Sequence, residues 1–134
     1  VKTDVYINLP VNDLKKSVDF FKQLGFEFNP KYSNEQAACM KLNNESYVML
    51  LQEIFFQDFT KNAIADTSQF TEVLLAISVD SKEHVNTLLE YALELGAREA
   101  REPQINNFMF GRSFHDLDGH IWEIFWMKPS KNGQ

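Results

Sequence analysis

One carboxylate interrupts an otherwise apolar run near the end of the sequence: Glu123 in His120-Ile121-Trp122-Glu123-Ile124-Phe125-Trp126. Burying an unpaired carboxylate is costly even after relaxation, so such a residue requires a cation, a water-filled cavity, a metal ion or a raised pKa. A hydrogen bond from Tyr6 or an ion pair with Arg112 would satisfy it structurally. The functional alternative is a direct role toward a ligand, and a carboxylate whose pKa is raised by burial would suit proton abstraction near neutrality. Strand alternation puts Glu123 on one face with Ile121 and Phe125, and turns Trp122, Ile124 and Trp126 toward covering helices. Asn8 is the second candidate, an amide inside an apolar strand, either satisfied within the core or offered to a ligand on an open face.

The other reactive residue types form no such pattern. His115 and His120 flank Asp116-Leu117-Asp118-Gly119 and so fall on adjacent strands, without the spacing of a helical zinc site, and His84 reads as a solvated helix residue. Asp116 to Gly119 lacks the later glycine and glutamate of a calcium loop and reads as a hairpin turn. The five glycines stand at 25, 96, 111, 119 and 133, so neither GxGxxG nor GxxxxGK occurs. Cys39 is the sole cysteine, reads as a buried inert thiol, and fits a reducing cytoplasm.

The elements that must position Glu123 and Asn8 come in two similar sets. Asp4–Leu9 is extended, Asn12 or Asp13 caps a helix through Leu14, Val18, Phe21 and Leu24, and Gly25 stops it. Strands follow at Phe26–Asn29, Gln36–Leu42 and Ser46–Gln52, separated by turn formers. The second set opens with Glu72–Val79, then a helix through Val85, Leu88, Ala92 and Leu95 to Gly96, capped by Asp80 or Ser81, with Asp80 and Glu83 placed for a capping box. Ala97–Arg101, Met109–His115 and His120–Trp126 supply three more strands. Val5–Val11 aligns with Val73–Val79, so the order β-α-β-β-β occurs twice, in residues 1–53 and 72–127. The connection 54–71, with Ile54, Phe55, Phe56, Phe59 and Phe70, is expected to pack on other structure.

At 134 residues the chain has the size of one ordinary domain, 1–134, of α+β class. Thirteen basic and nineteen acidic residues give a net charge of −6, which disfavours nucleic acid and anionic membrane as partners. No apolar run approaches the roughly 20 residues that span a bilayer, and no secretory signal is expected.

Ile7-Asn8-Leu9-Pro10-Val11-Asn12-Asp13-Leu14, Gly111-Arg112-Ser113-Phe114 and Asp116-Leu117-Asp118-Gly119-His120-Ile121-Trp122-Glu123, set in a duplicated chain, closely resemble the vicinal-oxygen-chelate superfamily. That superfamily holds the glyoxalases, bleomycin-resistance proteins and extradiol dioxygenases, and the resemblance is strongest to its bacterial lactoylglutathione lyase-like branch. It covers essentially the whole chain. It implies two tandem modules whose curled mixed sheets form an open cup, with four side chains holding a divalent metal. Carried over one by one, those four positions fall on Tyr6, Leu74, near Leu50, and Glu123. Leucine has no donor atom and a phenol is a poor ligand for zinc or nickel at neutral pH, so only Glu123 matches.

The preferred expectation is therefore a protein without the metal site, binding a small organic molecule in a cup lined by Tyr6, Asn8, Leu50, Leu74 and Glu123, with Glu123 orienting or deprotonating it. The alternative is a lactoylglutathione lyase-type enzyme whose zinc or nickel is held by other residues. The resemblance also implies a two-fold homodimer, with the connection 54–71 offering apolar surface between protomers.

Overall fold

The structure, a computed structural model, describes residues 2–129. The chain divides into two compact units between Asp66 and Thr67, inside the connection. In the first unit β1 (Val5–Val11) leads to α1 (Leu14–Gln23), β2 (Glu27–Asn29), a 3-10 turn at Pro30–Tyr32, β3 (Ala37–Lys41), β4 (Ser46–Gln52) and α2 (Glu53–Gln57). The second contains β5 (Leu74–Ser78), α3 (Lys82–Glu94), β6 (Arg98–Ile105), β7 (Met109–His115) and β8 (Ile121–Met127). Each unit has its own four-stranded mixed sheet, ordered β1-β4-β3-β2 and β5-β8-β7-β6. The first strand of each module lies parallel to its last, and the remaining pairs are antiparallel. Each sheet buries one face against the helix of its own module.

In the first sheet Leu9, Val11, Val48 and Leu50 form the buried face, and α1 covers it with Leu14, Phe20 and Phe21. The Gln52 carboxamide, on that face, accepts a hydrogen bond from the Leu14 amide and pins the start of α1 to the end of β4. Asp13 caps α1, its carboxylate accepting from Lys16 N. In the second sheet Leu75, Phe114, Trp122 and Ile124 pack under Val85, Leu88, Leu89 and Ala92 of α3. Arg112 completes that layer: its guanidinium makes two 2.9 Å bonds to the Glu99 carboxylate, another to the Asn86 side chain, and a 2.7 Å ion pair with Glu90. These bonds hold the Glu99 carboxyl below its ordinary pKa and raise that of Arg112.

Two expectations about local structure change. Of the two candidate caps for α3, Ser81 takes the role by accepting from His84 N, while Asp80 meets the His84 ring at 3.1 Å. The capping box is thus absent because the chain enters the helix one residue later. β6 runs to Ile105 instead of ending at Arg101, despite Pro103. It is an edge strand, where a residue without an N–H removes no ladder bond, and two register shifts around Arg101 absorb the irregularity.

The connection is covered only in part. α2 packs against β1 and β4, and Phe55 meets Phe59 edge to face at 5.2 Å, yet Ile54, Phe59 and Phe70 are largely exposed. No helix among the described residues is long and apolar enough to cross a membrane.

Candidate functional site

The faces of the two sheets turned away from their helices carry the polar candidates. In the second sheet strand register sets out three cross-sheet rows. Arg98, His115, Ile121 and Leu74 form one, Arg101, Ser113, Glu123 and Ala76 the next, and Gln104, Gly111, Phe125 and Ser78 the third. Glu123 thus has small neighbours, Ala76 and Ser113, on both adjoining strands, and Ile121 and Phe125 before and after it on its own face. A pocket of about 160 Å³ opens at the carboxylate, lined by Met109, Gly111 and Phe125 together with the polar Arg101, Gln104 and Ser113. Gly111 deepens it, since a Cβ at that position would lie 3.3 Å from Phe125 Cβ.

The partner of Glu123 is Arg101, with one guanidinium nitrogen 3.3 Å from Oε2. Arg112, expected for that role, sits on β7 opposite Ile124 of β8 and so points to the helix face. Glu123 is not the deeply buried, unpaired carboxylate that the apolar run suggests: its side chain is 28% exposed and that of Arg101 56%. Arg101 escaped sequence reasoning because nothing in Arg-Glu-Pro-Gln reports which way a bulged edge strand aims its side chains. The one available signal was Pro103, which marks a strand as an edge.

Leu74 lies on this same open face, 57% exposed and in the row next to Glu123. Tyr6 and Asn8 lie on the open face of the first sheet. The Tyr6 ring stacks on Tyr47 at 4.8 Å, and Asn8 is exposed, with a long 3.5 Å contact from its amide to Tyr6 O. Leu50 must be corrected. It pairs with Leu9, is wholly inaccessible, and belongs to the face under α1, so it lines no open pocket. The open-face residue equivalent to Glu123 is Met49, because Asn8 pairs with Met49 as Ala76 pairs with Glu123. A larger hollow of about 650 Å³ lies beside α1, rimmed by Lys15, Asp19, Lys22 and Glu35, and none of the expected site residues lines it.

The hairpin that delivers β8 is built on a buried acid. One oxygen of Asp116 accepts from the amides of Asp118 and His120, and the other accepts from the Trp122 indole at 2.9 Å. Burial raises the Asp116 pKa, against the lowering influence of His120 and of these bonds. The His120 ring, itself buried, meets Glu72 at 3.0 Å, and Thr67 donates to Asp118 O at 2.6 Å. Gly119 adopts φ +83°, and any Cβ there would also collide with Thr67. These residues hold the turn and keep Trp122 seated, leaving Glu123 to face outward. Cys39 is fully buried, and burial pushes its thiol up, away from the reactive thiolate.

A family profile for the bleomycin resistance protein-like N-terminal region matches residues 3–43. Among solved structures, a hypothetical protein from S. aureus superposes with a TM-score of 0.79 at 28% identity, covering 90% of this chain and 91% of that one. A glyoxalase/bleomycin resistance protein/dioxygenase family enzyme from Burkholderia phytofirmans gives 0.75 at 18% identity over 91% and 96% of the two chains. The chain carries the glyoxalase/bleomycin-resistance fold. A glyoxalase-related enzyme from Fulvimarina pelagi agrees, at 0.76 and 21% identity over 100% of this chain and 96% of that one. No curated protein matches the sequence significantly.

The sequence resemblance implies a divalent metal, which the side chains of the two sheets would have to hold. The first sheet offers Tyr6 with Met49 or Leu50, and the second offers Leu74 with Glu123, already paired with Arg101. Among the described residues no three His, Cys, Asp or Glu side chains gather within reach of one ion. Neither the phenol on the first sheet nor the single carboxylate on the second makes a zinc or nickel site.

Proposed function

We propose that this protein binds a small organic molecule on the open face around Glu123, without the superfamily's metal. The observation that carries this reading is the placement of the carboxylate: it lines a depression together with Met109, Gly111, Ser113, Phe125 and Gln104, and is tied to Arg101 by a single 3.3 Å contact. A few polar groups set among apolar walls are the usual composition of a small-molecule site. Glu123 orients the ligand, and Leu74 lies in the neighbouring row of the same open face.

Glu123→Gln keeps the shape and removes the charge. It is expected to leave folding intact and to weaken binding in a ligand screen read by thermal shift, run with and without added nickel or zinc. Equal ligand shifts in both proteins would reduce Glu123 to a structural carboxylate. Large metal-dependent stabilisation of the wild type would restore the metal-dependent lyase.

We also propose a homodimer, supported by the exposed Leu74 and Met127 on the open face and Ile54, Phe59 and Phe70 in the connection, all large apolar side chains. Light scattering at tens of micromolar, an order-of-magnitude range in which obligate pairs stay associated, is expected to give twice the chain mass; a monomer would contradict it.

A further inference from the structure

Arg101 occupies the place that a ligand's own positive group would take. Its row runs Arg101, Ser113, Glu123, Ala76 straight across the sheet, so the guanidinium reaches the carboxylate over a single small side chain. The contact is one 3.3 Å approach rather than a two-pronged pair, both partners keep water, and the arginine hangs from a doubly bulged edge strand. By contrast Arg112, one residue from Ser113 but on the other face, is held by two carboxylates and an amide at 2.7–2.9 Å. The same sheet thus contains one guanidinium locked into structure and one held loosely. Exposed pairs of this loose kind are weak, so an incoming cation can displace the arginine.

We propose that the depression around Glu123 selects an organic cation, an ammonium, amidinium or guanidinium group carried on an apolar or aromatic body, and that Arg101 is the internal competitor this cation displaces. The proposal rests on the reading of the Glu123 face as a small-molecule site and names the class of molecule it takes. Phe125 beside the carboxylate gives the ligand's body an aromatic surface and its positive edge a ring to lie against. The net charge of −6 favours the approach of cations from solution. The notch at Gly111 gives a planar head the room that any larger residue would remove.

The test uses three probes of nearly one shape: benzamidine (cationic), benzamide (neutral) and benzoate (anionic). Each is titrated into wild type, Arg101→Gln and Glu123→Gln, followed by amide chemical shifts of Ala76, Gly111 and Phe125. Wild type is expected to prefer benzamidine. Arg101→Gln is expected to bind benzamidine about two- to fivefold more tightly, the fold-change that loss of a competing pair of this strength implies. Glu123→Gln is expected to lose the preference for the cation. Equal binding of benzamide and benzamidine, or tighter binding of benzoate that disappears in Arg101→Gln, would overturn the proposal and make Arg101 an anion receptor. If the three probes show no preference while the broader screen still finds ligands sensitive to Glu123, the cation class fails and the site stands. If no compound is sensitive to Glu123, the site itself fails.

Discussion

Replacing Trp122 with alanine is expected to cost about 3–5 kcal/mol of stability, the range for removing a buried tryptophan from a packed core. Trp122 is fully inaccessible and lies in the layer between the second sheet and α3, beside Leu75 and Ile124. The loss has two parts. An indole-sized void opens beneath α3, and the Asp116 carboxylate loses the N–H that one of its oxygens accepts. Trp122→Phe separates them, since it keeps most of the ring volume and removes only the donor. Urea denaturation of the two variants measures both parts. A midpoint for Trp122→Ala close to wild type would mean that the faces of β8 are reversed and that Glu123 does not look outward.

Asp116→Ala is expected to cost about as much, about 3–5 kcal/mol, though the residue is small and polar. Its side chain satisfies three donors at once, the amides of Asp118 and His120 and the Trp122 indole, and each buried donor left without a partner costs about 1–3 kcal/mol, less than additively within one network. The pH dependence follows from the raised pKa. Between the ordinary Asp value of 3.8 and the higher folded value, the folded chain keeps a proton that the unfolded chain has released. Stability from this group is therefore greatest below that window and declines as pH rises through it. The penalty of Asp116→Ala is accordingly expected to be larger at about pH 4 than at neutrality, opposite in slope to that of a salt-bridged carboxylate. Urea titrations at several pH values check this. A penalty that grows with pH would show that the bonds to the carboxylate outweigh its burial. Because Asp116 and Trp122 share a bond, the double variant is expected to lose less than the sum of the two single losses.

Neither residue lines the pocket, yet both position the strand that carries Glu123. Asp116 sets the turn that starts β8, Trp122 seats the strand, and strand alternation then leaves Glu123 on the open side. The fold and this outward face were legible from the sequence. Helical spacing in Leu14, Val18 and Phe21 and in Val85, Leu88 and Ala92, together with alternation around Glu123, reports which side of each element is wet, because burial of apolar groups dominates the choice. The hairpin at Gly119 was equally plain, since only glycine takes that backbone angle without strain.

The ligand positions were less secure, for a reason inherent in strands. A slip of one residue reverses the face, so Leu50 and Met49 are indistinguishable as apolar letters while one lies under α1 and the other faces out. Arg101 was beyond the reach of pattern altogether. Its partner is 22 residues away, and its aim depends on where an edge strand bulges. Asp116 read only as a turn former, because its three donors are amides and an indole that become neighbours when the hairpin closes. The sequence by itself determined the repeated β-α-β-β-β order, the buried sides of the helices and the isolation of one acid in an apolar strand, all consequences of local periodicity and burial. Register, the aim of Arg101 and the small residues that hollow the sheet around Glu123 were decided only by the tertiary structure, because each depends on which strands become neighbours.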